Sequence, residues 1–217
     1  MINYPRLAAD AGRIVPNPDV RTGDLKIALF SAPADNQPSS RPTLYLAGST
    51  PTPGWRRANV EISHAGRMQV VQTARRKSVL GYAATSLDMF ENEDEASIEI
   101  VLHDADQWLV SCGDEDLELG DNLAVLGNRI IHFGEATPLG AGRFRLARLR
   151  GRAGTASGIG RHHEGEPFVL VERTALQAVH LPLWARGSPI HASAQNGSAK
   201  CSLTLAAGLE TEFLARD

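Results

Sequence analysis

The chain has few cysteines, which stabilise small secreted domains as disulfides, and no apolar run long enough to cross a membrane. Its 217 residues include only two cysteines, Cys112 and Cys201. Two thiols cannot build a disulfide framework or a four-thiolate zinc site, and they fit folding in a reducing cytoplasm. The longest apolar runs, such as residues 123–126, fall far short of a membrane span, and residues 1–20 lack the pattern of a secretion signal. The sequence therefore predicts a soluble chain with no membrane span.

The chain also lacks the local motifs that hold cofactors and catalytic groups. The glycines at 151, 154, 158 and 160 have no Gly-Lys-Ser/Thr of a phosphate loop, and no Gly-x-Ser-x-Gly marks a nucleophile. His162-His163-Glu164 has no helical metal-ligand spacing and predicts a polar loop tip. The acidic stretches 91–95 and 114–116 lack the ligand order of a calcium loop and predict solvated turns. We predict no cofactor, no metal site, no catalytic residue and no enzymatic activity.

The net charge of −3 conceals blocks of opposite sign. Residues 41–77 carry +6, residues 88–128 carry −13 with no Lys or Arg, and residues 129–161 return to +6. Exposed charges separated by more than about 10 Å are screened, so such blocks matter where they meet. The acidic block would also repel phosphate, which argues against a nucleic-acid partner. The pattern predicts ion pairs between the blocks, within one chain or between subunits.

Short alternating runs separated by turn residues follow one another from Leu25 onward. Residues 59–63 alternate strictly, and Gly127-Asn128 is a pair suited to a tight hairpin. No apolar set keeps helical spacing for three turns. The sequence predicts an all-β fold of short antiparallel strands in one or two sandwich-like or barrel-like modules, with little helix. We expect an N-terminal arm or linker at 1–24, a first β module at 25–90 and a second at 91–217.

Seven residues are candidates for contacts with partners. Five arginines crowd the stretch 143–152, where the alternation slips at Leu146-Ala147 and predicts a bulge. Arginine binds carboxylates in a forked geometry, so we expect this strand to pair with the acidic block. Exposed tryptophans can stack on sugars, although more often they anchor β cores or interfaces. The candidates are Arg143, Arg145, Arg148, Arg150, Arg152, Trp55 and Trp108.

The run from Ala96 to Val171 resembles the C-terminal region of large tail-tip, or baseplate hub, proteins of gene transfer agents and siphophage-like tails of alphaproteobacteria. Residues 41–88 look like the preceding β segment of the same proteins. The resemblance rests on the order and spacing of several pieces together: Ser97-Ile98-Glu99-Ile100, Trp108-Leu109-Val110-Ser111, residues 120–127, residues 130–136, Arg143-Phe144-Arg145-Leu146, residues 149–155 and residues 163–170.

The resemblance implies a structural component of a tail tip or baseplate that assembles through other tail proteins and helps attach the particle to the host envelope. It implies a virion location after synthesis in the bacterial cytoplasm, and a homotrimer is the common state of such proteins. The family proteins are far longer, so we expect this chain to correspond to the distal β portion of that design. Two alternatives stay open: a module that binds a receptor or glycan, and an accessory of a cell-wall hydrolase.

Overall fold

The prediction of an all-β fold is confirmed. The computed structural model describes residues 24–30, 43–51, 55, 57–64, 67–88, 96–151, 159–172, 174–181, 189–197 and 199–205. They form thirteen strands and one short helix. The elements are β1 (Lys26–Phe30), β2 (Thr43–Ser49), β3 (Ala58–His64), β4 (Arg67–Ala74), β5 (Leu80–Ala83), β6 (Ser97–Leu102), α1 (Asp114–Leu119), β7 (Leu123–Leu126), β8 (Arg129–Gly140), β9 (Arg143–Gly151), β10 (Pro167–Leu170), β11 (Gln177–His180), β12 (Ile190–Asn196) and β13 (Ala199–Leu205).

Six of the strands close into an antiparallel barrel in the order β10-β5-β6-β9-β8-β7. Alternate residues of each strand point inward, and the barrel is filled by large apolar side chains, including Ile100, Phe133, Phe144 and Phe168, each at most 1% exposed. A barrel filled with side chains has no open lumen, and its closure leaves no free strand edge.

The other seven strands form two sheets that pack face to face. The inner sheet has the order β1-β2-β11, and the outer sheet has the order β13-β12-β3-β4. Their facing side chains, such as Ile27, Leu46, Val60 and Ala192, make a second apolar cluster. Strands from the end of the chain therefore pair with strands from its beginning, across the boundary expected between residues 90 and 91.

The inner sheet is buried on both faces. Ile27 and Leu29 of β1 point into the cluster shared with the outer sheet. Ala28 and Phe30 point the other way, into a third cluster with Leu80 and other residues on the outside of the barrel. The sheet thus lies as a layer between the barrel and the outer sheet, which explains why β1 and β2 contain runs of consecutive apolar residues.

A buried serine ties the layer to the start of β5. Ser78 is fully buried, its amide donates to the Gly48 carbonyl at 2.8 Å, and its hydroxyl donates to the Ala175 carbonyl at 3.2 Å. These bonds connect β2, the lead into β5 and the turn before β11. The junction between the sheets and the barrel is therefore fixed by hydrogen bonds as well as by apolar contact.

The hairpin predicted at Gly127-Asn128 is present, and the bulge predicted in β9 is not found at the predicted position. Leu126 pairs with Arg129 across the β7–β8 turn, where Gly127 but not Asn128 has a positive φ. The pairing of β8 with β9 keeps one register through Leu146 and Ala147 and shifts only between Pro138 and Gly140, so the predicted bulge was wrong. Residues 107–111 carry no strand pairing.

Other outcomes concern helices and the chain ends. The one helix among the described residues is the six-residue α1, which agrees with the prediction of little helix. Within the described residues no helix has the length and apolarity needed to cross a bilayer. The expected arm at 1–24 falls outside the described residues except for Asp24.

Gly81 provides a test of the barrel. A Cβ at this position would lie 2.4 Å from the carbonyl oxygen of Val101 on β6. We expect Gly81→Ala to lower the free energy of unfolding by about 2 kcal/mol or more, because the two backbones must separate. Urea denaturation measures the loss. Gly113→Ala is the control, since the nearest atom would be at an ordinary 3.6 Å, and a change there as large as at Gly81 would contradict the explanation.

Candidate functional site

The arginine-rich strand β9 faces the acidic block, as the charge pattern predicts. Arg143 and Arg145 alternate with the buried Phe144, so both guanidinium groups lie on the outside of the barrel. Glu99 on the neighbouring β6 accepts Arg143 Nε and Arg145 Nη2 through different carboxylate oxygens, each at 3.1 Å. One carboxylate therefore holds two arginines, which fixes the rotamers of both on this face.

The second pair of arginines holds helix α1. Arg148 has a φ of 53°, an unusual value for a residue other than glycine, and its side chain lies over Gly134. Its Nη2 contacts Asp114 in the first turn of α1, and Arg150 Nη2 lies 3.7 Å from the same carboxylate oxygen. The positive φ at Arg148 accounts for the slip in alternation that the sequence shows.

The predicted pairing of arginines with the acidic block is thus confirmed for Arg145, Arg148 and Arg150. Arg152 lies outside the described residues. Each ion pair is partly solvated, with Asp114 68% exposed, so it adds little stability. Glu99 and Asp114 nevertheless offset two of the four guanidinium charges of β9, which reduces the basic character of this strand. A role for these arginines in contacts with another protein stays a prediction.

Trp108 presents an exposed ring at one end of the barrel. It lies in the segment that joins β6 to α1, where Leu109 is buried while Trp108 and Val110 are 62% and 67% exposed. The indole meets the Phe144 ring edge-on, with centroids 5.1 Å apart. We call Trp108 and Val110 the Trp108 surface.

The Trp108 surface is held in place although its segment has no strand pairing. Asn122 Nδ2 donates to the Val110 carbonyl at 2.7 Å, and Ser111 Oγ accepts the Ala136 amide at 3.0 Å. The Cys112 amide donates to the Gly134 carbonyl at 3.0 Å. Bonds to the backbone of β8 and to the side chain of Asn122 therefore replace the ladder that a strand would have made.

Trp55 has a different environment. Its ring packs against the cluster between the inner and outer sheets, over Gly48, and its Nε1 donates to the Arg75 carbonyl at 3.2 Å. This is the core-anchoring arrangement common for tryptophan, with its one donor satisfied. Trp184 lies outside the described residues.

The predicted polar loop tip is confirmed for His163 and Glu164, which are exposed at a turn, and was wrong for His162. His162 is only 1% exposed; its Nδ1 lies 2.6 Å from a carboxylate oxygen of Glu166, and its Nε2 lies 3.0 Å from the Ile159 carbonyl. Its backbone also bridges to Leu87. The imidazole thus secures the turn that leads into β10, a role that follows from burial and could not be read from the motif.

A buried ion pair was also missed. Lys77 Nζ lies 2.5 Å from Asp104 Oδ2, with the two side chains 15% and 8% exposed. The other carboxylate oxygen accepts the Asp106 amide at 3.1 Å. The residues lie 27 apart in the sequence, one at the end of the basic block and one inside the acidic block, so only the fold identifies them as partners.

Ionisable groups elsewhere favour their neutral forms. Burial raises the pKa of the Cys201 thiol to about 11, despite the opposing effects of Lys26 and a backbone hydrogen bond. Burial, followed by the carboxylates of Asp121 and Asp116, also raises the pKa of Cys112. Neither thiol is activated as a nucleophile. Across the described ranges, no three His, Cys, Asp or Glu side chains are placed to hold a metal ion.

Comparison with known proteins supports part of the resemblance. Residues 78–169 match a family model described as Rcc01698-like, C-terminal, named for an alphaproteobacterial gene. This range contains β5–β9, α1 and nearly all of β10, and so coincides with the barrel and the Trp108 surface. No curated protein matches the chain.

Asp104 allows a test of the buried pair. We expect Asp104→Ala to lower the free energy of unfolding by about 3 kcal/mol, because it removes the carboxylate that faces a buried ammonium. Glu99→Ala, which removes the more exposed bridge to Arg143 and Arg145, should cost less than about 1 kcal/mol. Denaturant titration of both variants measures the difference, and equal losses would contradict it.

His103 should make stability depend on pH. Burial, and then the nearby Lys26 ammonium, lower the pKa of His103 below its ordinary value of 6.5. The unfolded chain therefore binds a proton more readily, so this contribution to stability is complete above about pH 6.5 and is lost as the pH falls through the folded-state pKa. Between about pH 7 and pH 5 the wild type should lose more stability than His103→Gln. Thermal melts of both proteins across this pH range measure the difference. Parallel dependences of melting temperature on pH would refute the assignment.

Proposed function

We propose that this protein is a structural component of a phage or gene-transfer-agent tail tip or baseplate, and that it works through protein contacts rather than catalysis. The resemblance of residues 96–171 to tail-tip proteins suggests this role, and the family match over residues 78–169 is compatible with it. The proposed partners are other tail or baseplate proteins and two further copies of the chain. The proposed location is the distal end of the particle.

The observation that carries the proposal is the Trp108 surface. Trp108 and Val110 expose apolar area on a segment that several hydrogen bonds hold in place. Tryptophan is enriched among the few residues that supply most of the binding energy at protein interfaces, and a preorganised ring loses little entropy on binding. Arg143 and Arg145 near this region already share the Glu99 carboxylate, which weakens their attraction for an acidic partner.

Particles produced by cells that carry the gene provide the test. We expect the chain to copurify with tails and immunogold labelling to mark the distal tip. Trp108→Ala should lower the amount of chain in purified particles by about tenfold, the effect of losing one strong interface residue. Leu119→Ala is the control, because Leu119 is an apolar residue 84% exposed on α1.

Two results would contradict the proposal. One is the absence of the chain from tails. The other is Trp108→Ala incorporation equal to the wild type, which would remove the Trp108 surface from assembly. Melting temperatures of the purified variants establish that any loss comes from the surface and not from unfolding.

A glycan-binding or receptor-binding module of the tail is the second candidate, favoured by the same exposed indole. A flat aromatic ring in water can stack on the apolar face of a sugar. In that case Trp108→Ala particles would contain normal amounts of the chain but would adsorb poorly to host cells.

A further inference from the structure

The outer sheet carries a polar depression that the proposed function does not use. The depression has a volume of about 510 Å³ and crosses β3, β12 and β13. The side chains that we call the polar face point to this side of the sheet, away from the apolar cluster. They are Asn59, Glu61, Ser193, Gln195, Lys200 and Ser202.

Strand register arranges the polar face in two rows. Gln195 pairs with Asn59 on one side and Lys200 on the other, and Ser193 likewise pairs with Glu61 and Ser202. Neighbouring strands lie about 4.8 Å apart, so each row spans about 10 Å. Two rows of hydrogen-bonding groups on a regular grid can follow an extended ligand across the strands.

Most of these groups have no partner of their own. Among the described residues, the side chains of Glu61, Ser193, Lys200 and Ser202 take part in no hydrogen bond or ion pair. Gln195 donates once, to the Gly197 carbonyl at 3.0 Å, and Asn59 accepts once, from Thr73 at 3.3 Å. The face therefore retains donors and acceptors that a ligand can satisfy.

The backbone beneath the polar face is fixed before any ligand arrives. The residues that alternate with it, such as Val60, Ala192 and Ala194, are buried in the cluster between the two sheets. Both neighbours of the central strand β12 are hydrogen-bonded to it along its length. A rigid platform lowers the entropy cost of binding.

The chemistry of the lining selects a ligand class. No aromatic or large aliphatic side chain lines the depression, which disfavours lipids and apolar peptides. One carboxylate and one ammonium offset each other, which disfavours polyanions such as nucleic acids. The amide, hydroxyl and carboxylate groups of the lining can form hydrogen bonds with the hydroxyl groups of a ligand, because those hydroxyl groups both donate and accept. We propose that the polar face binds a neutral oligosaccharide.

Val71 extends the site toward the sheet edge. It pairs with Glu61 across β3 and β4, so it stands on the same side of the sheet, and it is 58% exposed. Its methyl groups offer an apolar contact for the carbon-bound hydrogens of a sugar ring beside a carboxylate that accepts from its hydroxyls. Val71 and Glu61 thus place an apolar group beside a polar one, as a pyranose ring places its C–H groups beside its hydroxyls.

Binding by the purified full chain tests the proposal. The probes are cellotetraose, maltotetraose and chitotetraose, with tetragalacturonate as an acidic comparison. In heteronuclear NMR titrations at millimolar concentrations, at least one neutral probe should shift the amide signals of β3, β12 and β13 selectively. No selective shift with any neutral probe, or shifts with the acidic probe alone, would overturn the proposal.

Two variants locate the site. Glu61→Gln should weaken binding about tenfold, because a carboxylate accepts hydrogen bonds more strongly than an amide. Glu135→Gln is the matched control, since Glu135 is an exposed strand residue of the barrel, and it should bind normally. Ser193→Lys fills the centre of the depression and should abolish binding. Unchanged melting temperatures exclude unfolding as the cause.

Trp108→Ala separates this site from the Trp108 surface. Binding that survives Trp108→Ala and is lost in Ser193→Lys supports the polar face. The reverse result overturns the proposal and assigns sugar binding to Trp108. Because these measurements use the isolated chain, they fail or succeed independently of whether the protein is found at the tail tip.

Discussion

The burial of the inner sheet on both faces holds the structure together. Ile27 and Leu29 point toward the outer sheet, while Ala28 and Phe30 point toward the barrel. Without apolar side chains on both sides of β1 and β2, the barrel and the sandwich would share no core. The Ser78 hydrogen bonds then fix the segment that leads into β5 against this layer. They matter because an unpaired polar group would be costly to bury here.

Within this fold, the acidic block supplies carboxylates that pair with the arginines of β9. The acidic block carries −13, yet its carboxylates at Glu99 and Asp114 each contact two arginines of β9. Such exposed pairs contribute little energy, but they orient long side chains and offset two of the four positive charges of β9. The side chains that remain available to a ligand or partner are found elsewhere. They are the exposed apolar side chains of the Trp108 surface and the polar face of the outer sheet.

The elements predicted well are those whose signal is local. Alternation at 59–63 and the turn residues at 127–128 report strands and a hairpin, because the pleat has a period of two and glycine tolerates a positive φ. Prediction failed where side-chain hydrogen bonds outside the strand pattern decide the structure. Residues 107–111 are held by side-chain hydrogen bonds and not by strand pairing. The motif around His162 predicts an exposed imidazole, whereas both ring nitrogens of His162 contact Ile159 and Glu166 in the folded protein.

By itself the sequence determined an all-β chain of short antiparallel strands, the complementary charges of β9 and the acidic block, and the absence of cofactor motifs, since each of these is a property of composition or of near neighbours. Only the tertiary structure decided that β12 lies beside β3, that Lys77 meets Asp104, and that six polar side chains from three strands form one face. The physical reason is that strand order and burial depend on contacts between residues far apart in the sequence, 27 positions for Lys77 and Asp104 and more than a hundred for β3 and β12, which no local period encodes.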